Sequence, residues 1–128
     1  MREYKRIIFP SDRDIIEERD KDNLRELILS EVRKESSDKG VVRFHHLDHI
    51  IQAPFRNRKL NGVVRIFDID GNLLQLVQYV NDVKYGLYTK YHHNGSISCV
   101  GTYKDGVCWG VWKYFDLDGN VEKINKYS

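Results

Sequence analysis

From Gly40 onward the chain reads as strands, whereas the stretch before it reads as helix. Between Asp22 and about Lys34 the apolar residues Leu24, Leu27, Ile28 and Val32 recur at helical spacing, with Arg25, Glu26, Glu31 and Arg33 elsewhere on the circumference. That pattern predicts an amphipathic helix with one face to bury. Ser11, next to Pro10, is placed to cap a shorter preceding turn that carries Ile15 and Ile16, and the run Ser36-Ser37-Asp38-Lys39-Gly40 breaks the helical pattern. Beyond it, stretches such as Gly110-Val-Trp-Lys-Tyr-Phe115 are rich in β-branched and aromatic residues. Such stretches predict strands whose side chains alternate between two faces. Val64, Tyr88 and Trp112 then share one face, and Val63 with Phe67, Leu87 with Tyr91, and Val111 with Phe115 share the other. Both faces are partly apolar, so a single sheet cannot bury them unaided, and the helix is expected to dock on one face or at the open end.

The strands recur with a fixed period. Gly62, Gly86 and Gly110 stand 24 residues apart, as do Gly71, Gly95 and Gly119, the aromatics Phe67, Tyr91 and Phe115, and the tyrosines Tyr79, Tyr103 and Tyr127. A period in this range marks a stacked repeat in which each unit covers its neighbour. Each unit reads as a hairpin. The dipeptides Asp70-Gly71, Asn94-Gly95 and Asp118-Gly119 favour the positive φ angles of tight turns, and Asn81-Asp82 and Asp105-Gly106 mark the looser link to the next unit. Upstream, Gly40-Val-Val-Arg-Phe44 copies Gly62-Val-Val-Arg-Ile66, and Phe55 lies 24 residues before Tyr79, but the spacing from Gly40 to Gly62 is only 22. A degenerate unit with a shortened tip at Asp48-His49 is therefore expected. The predicted fold is α+β: an antiparallel β-meander with an N-terminal amphipathic helix. Residues 1–39 form the helical segment, 40–60 the degenerate repeat and 61–128 three full repeats, in one continuous domain.

The pattern Tyr103-Lys-Asp-Gly106-Val-Cys-Trp-Gly110-Val-Trp112-Lys-Tyr-Phe115-Asp-Leu-Asp-Gly119 resembles the MORN repeats, in particular the variant type found in bacterial antitoxin components and in large DNA viruses. The first unit departs from that pattern, with Val64 in place of an aromatic and Val80-Asn81-Asp82-Val83 in place of a glycine turn. The resemblance implies hairpin repeats used as docking and assembly surfaces. It also implies two alternatives, an antitoxin-like inhibitor of a toxin protein and a peripheral binder of anionic lipid, the latter drawing also on Arg2, Lys5 and Arg6.

Composition narrows the chemistry. The 128 residues suit one domain, and 21 Lys and Arg against 19 Asp and Glu leave a net charge of +2, too little to recruit nucleic acid by field alone. Arg65, Lys90 and Lys113 beside Tyr88, Trp112 and Tyr114 could stack bases, but a self-supporting sheet explains them better. Cys99 and Cys108 are too few for a disulfide scaffold and read as small packed hydrophobes. The start MREYKR leads into no apolar run, so the expected location is cytoplasmic. His45, His46 and His49 cluster and His92-His93 form a pair, yet zinc needs four convergent donors, and turn positions explain both groups. Asp68-Ile-Asp70-Gly71-Asn72 and Asp116-Leu-Asp118-Gly119-Asn120 place glycine fourth rather than sixth and lack the distal Glu of a calcium loop.

No catalytic residue, metal or cofactor is therefore expected. The reading is a non-catalytic protein-interaction or assembly module, with a protein partner or a second copy of the chain as its ligand. Its expected surface comprises Tyr88, Trp112 and Tyr114 with Val121, Ile124 and Tyr127, the last three on a final strand that leaves an open edge. Gly62, Gly71, Gly86, Gly95, Gly110 and Gly119 define the repeat.

Overall fold

The computed structural model describes residues 24–128. A helix, α1, covers residues 24–32. Nine strands follow among the described residues: β1 (Gly40–His46), β2 (His49–Arg56), β3 (Lys59–Leu60), β4 (Gly62–Asp68), β5 (Leu73–Val80), β6 (Val83–Tyr91), β7 (Ile97–Lys104), β8 (Val107–Phe115) and β9 (Val121–Tyr127). They form one antiparallel sheet in the order β1-β2-β4-β5-β6-β7-β8-β9, with β3 beside β2. This is the expected meander. The expected cap at Ser11 and the turn carrying Ile15 and Ile16 lie outside the described residues.

Register explains the repeat. Gly62 lies opposite Tyr79, Gly86 opposite Tyr103 and Gly110 opposite Tyr127, so each periodic glycine faces the periodic tyrosine of its own unit. Gly40 and Phe55 pair in the same way upstream. At Gly86, φ is +105°, and a Cβ there would collide with the side chain of Gln78, whose Oε1 instead accepts the Leu87 N–H at 3.1 Å. Here β6 carries extra residues against β5, a bulge that only glycine accommodates cheaply.

The turns reverse the expectation. Asn81-Asp82 and Asp105-Gly106 are the tight ones: both central residues have positive φ, and Val80 pairs with Val83 and Lys104 with Val107 across them. Two left-handed residues match the strand twist, as short hairpin turns require. The Asp-Gly tips are looser loops. The Asp68 N–H donates to the Asn72 carbonyl at 2.9 Å and the Gly71 N–H to the Asp68 carbonyl at 3.0 Å. The Asp68 carboxylate holds the loop open by accepting the N–H groups of Asp70 at 3.0 Å and Asn72 at 2.8 Å. In the first hairpin the shortened tip is Leu47-Asp48 rather than Asp48-His49, since His46 pairs with His49.

One face of the sheet is packed. Ile28 and Val32 of α1, fully buried, share a core with Val42, Ala53, Phe55, Leu60, Val64, Val77 and Tyr79, and Leu24 and Leu27 pack against it. The helix therefore lies on the inner face at the β1–β5 end. Arg58 fixes its C-terminus, since its guanidinium donates to the carbonyls of Val32 at 3.2 Å and Glu35 at 2.7 Å. A cation there satisfies carbonyls left open at the helix end.

Candidate interaction face

At the β6–β9 end the inner face is aromatic. Tyr88 pairs with Gly101, and the rings of Tyr88 and Trp112 stack with centroids 5.3 Å apart and planes at 28°. They meet above Gly101, where any Cβ would fall inside the Trp112 indole. Tyr103 packs edge-on against both rings, at 5.7 Å from Tyr88 and 5.1 Å from Trp112. The Trp112 Nε1–H donates to the Thr102 carbonyl at 2.9 Å, which satisfies the indole's single donor inside the core. Burial, followed by the neighbouring Cys99, pushes the Tyr114 phenol well above its usual range, and it stays neutral.

This arrangement corrects part of the expected surface. Trp112 is only 3% exposed and Tyr88 is half-buried, so both serve packing rather than contact. The basic residues named with them are divided between faces: Lys90 lies inward opposite Cys99, whereas Arg65 and Lys113 are exposed on the outer face, away from the inward aromatics. The two groups do not form a joint stacking platform.

What the outer face presents is a second set of apolar residues. Leu87, Thr102 and Trp109 form one cross-strand row, and Val111 lies opposite Lys126. Leu87 is 54% exposed, Val111 50%, Trp109 47% and Tyr85 44%. Tyr85 and Trp109 stand in the same position of successive units, each directly before a repeat glycine. They border a shallow slot lined also by Gly86, Thr102, Tyr103 and Lys104. The Lys104 ammonium sits 5.4 Å from the centroid of the Trp109 ring. Neither aromatic was singled out from sequence, although their 24-residue spacing was available as a signal.

The last strand is the least covered. Among the described residues β9 pairs only with β8, and Val121, Ile124 and Tyr127 are exposed. Tyr127 is 38% exposed, against 2% and 7% for its equivalents Tyr79 and Tyr103, because those two are flanked by a further strand. Lys123 occupies the inward position that Cys99 holds on β7, with its ammonium 4.6 Å from the Tyr114 ring centroid. An inward charge on an edge strand discourages pairing.

The histidines and loop carboxylates are placed as turn and strand residues. His45, His46 and His49 are exposed near the β1–β2 tip, three to four strand positions along the sheet from β6. His92 Nε2 donates to the Phe115 carbonyl at 2.8 Å, linking two neighbouring loops. Among the described residues no group of three or more His, Cys, Asp or Glu is arranged to hold a metal ion. Asp116 repeats the Asp68 arrangement, accepting N–H groups from Asp118 and Asn120, both at 2.9 Å. These hydrogen bonds, that from Asn120 foremost, hold its carboxyl below the usual value. Among the described residues no helix is long and apolar enough to cross a membrane.

Residues 84–105, from within β6 to the β7–β8 turn, match the family model described as MORN repeat variant. The match supports a MORN-repeat protein, and repeats of this kind point to binding or assembly rather than catalysis. No curated protein matches the chain. A solved structure, the crystal structure of accessory secretory protein 1,2 and 3 in Streptococcus pneumoniae, is similar with a TM-score of 0.42 and 14% identity. The likeness covers 75% of this chain and 19% of that one.

Proposed function

We propose that the chain is a non-catalytic protein-binding module of MORN-type hairpin repeats, docking its partner on the outer face of β6–β9. The observation that supports this is the exposed apolar group of Leu87, Trp109 and Val111, with Tyr85 beside it, on the side of the sheet opposite α1. Packing does not account for these residues. The inner aromatics are occupied with one another, so they stabilise the array, whereas the outer ones leave about half of their surface uncovered by the fold. Contiguous exposed apolar groups of this kind mark interaction sites.

The test is affinity capture with the wild-type chain and with a Leu87→Lys/Val111→Lys variant, followed by reconstitution of the captured protein in purified form. Binding weakened at least tenfold in the variant, with its circular dichroism unchanged, is the expected result. A partner that binds both forms equally overturns the choice of face. A chain that retains no protein but sediments with anionic vesicles overturns protein binding in favour of lipid, and a captured toxin gives the antitoxin form of the same reading.

A further inference from the structure

Resting on that docking face, we infer that the slot between Tyr85 and Trp109 takes an extended acidic peptide segment, seating one apolar side chain between the two rings and setting carboxylates against the flanking lysines. The charge on the strands carries the argument. β6, β7 and β8 contain no Asp or Glu, while Lys84, Lys90, Lys104 and Lys113 lie on them. The chain as a whole is nearly balanced at +2, so this part of the sheet is basic by placement rather than by composition. Lys84 and Lys90 face inward, beside Tyr103 and Cys99, but Lys104 lines the slot itself, Lys113 lies outward on β8, and Lys126 joins them from β9 opposite Val111. Among the described residues none of these three makes an ion pair. A ligand bearing carboxylates supplies the ion-pair partners these three lysines lack.

Geometry sets the form of that ligand. Tyr85 is rooted on β6 and Trp109 on β8 with β7 between them, so the two strands run about 10 Å apart, two strand spacings. With the two rings standing in that gap, the opening is narrower than a helix, whose diameter with side chains is about 10–12 Å, and takes one side chain of an extended segment. The floor of the slot is Thr102 and the bulged backbone at Gly86, which allow close approach. Beside it stand the aliphatic Leu87 and Val111, which suit the apolar side chains of a peptide.

The two tryptophans make the test internally controlled. In a proton–nitrogen correlation spectrum, Trp109 reports the slot, and Trp112, bonded to Thr102 in the core, reports the interior. The probes are nonapeptides with a central Leu flanked by Glu, the same peptide with Lys for Glu, and the same with Ala for Leu. The Glu–Leu peptide is expected to move the Trp109 indole resonance while leaving that of Trp112 in place, with affinity falling as salt rises. Affinity should drop at least tenfold for the Lys peptide, and likewise for the Lys104→Glu and Tyr85→Ala variants, each checked for native dispersion. Equal binding of the Lys and Glu peptides overturns the inference, as does movement of Trp112 without Trp109. So does tighter binding of a single-stranded oligonucleotide or of anionic phospholipid vesicles. If no peptide binds at millimolar concentration while a captured partner still depends on Leu87 and Val111, the slot inference fails and the docking face stands; if neither is seen, both fail.

Discussion

Gly101→Ala isolates the part of the fold that depends most on one atom. The backbone at Gly101 is not left-handed, so by conformational entropy alone alanine there would stabilise the protein by about 0.4–1 kcal/mol. The structure reverses that sign, because the new methyl group lies inside the Trp112 indole, which rests across Gly101 to stack on Tyr88. Overpacking of a filled core costs about 1–3 kcal/mol. If the indole swings away instead, it forfeits the Tyr88 stack, about 0.5–1.5 kcal/mol, and the bond to Thr102, about 1 kcal/mol. Either route gives a net loss of about 1–2 kcal/mol. Removing the indole by Trp112→Ala costs about 3–5 kcal/mol, and in that background Gly101→Ala should become neutral or stabilising. The coupling in the cycle is then about 1–3 kcal/mol, at the upper end of what contacting residues show. Urea unfolding followed by far-ultraviolet circular dichroism resolves it, since 2 kcal/mol moves the midpoint by roughly 1 M at a typical slope near 2 kcal/mol/M. Equal destabilisation by Gly101→Ala in both backgrounds would refute the reasoning and place the cost in the backbone.

Ile28→Ala, at a fully buried helix position against the sheet, is expected to cost about 2–5 kcal/mol in the same assay and to increase binding of an apolar dye as α1 loosens from the inner face. Asp68 is held below its ordinary value of 3.8, chiefly by the N–H of Asn72, and Asp116 likewise by that of Asn120. Lowered folded values mean stability that is present above the ordinary value and lost as pH falls through the lowered one, so unfolding should become easier below about pH 4. An Asp68→Asn/Asp116→Asn variant should show a flatter pH dependence there. Lys123→Val, which removes the inward charge from β9, is expected to raise the mass measured by light scattering through edge pairing; an unchanged monomer would show that the edge is guarded by something other than Lys123.

The sequence by itself determined the repeat and its pairing. Glycines and tyrosines at a common period could satisfy one register, Gly62 with Tyr79 and so on along the array, and the apolar stripe of Leu24, Leu27, Ile28 and Val32 required a surface to cover. Alternation also put Trp109 and Trp112 on opposite faces, since they stand three positions apart, an odd number, on one strand. Which of the two is buried was not legible. Both faces carry apolar residues, and a pattern of period two is the same for either; the choice falls to where α1 docks and to whether a glycine across the strand leaves room for the ring, both of them contacts between residues distant in sequence. The turns show the same limit. Asp-Gly favours a tight hairpin locally, but Asp68, two residues earlier, captures the N–H groups of Asp70 and Asn72 and opens the loop, whereas Asn81-Asp82 tightens with its Asp82 carboxylate accepting the Leu60 N–H at 2.7 Å. Dipeptide preference states what a turn permits. The neighbours that compete for its hydrogen bonds, supplied by the tertiary structure, decide which turn forms.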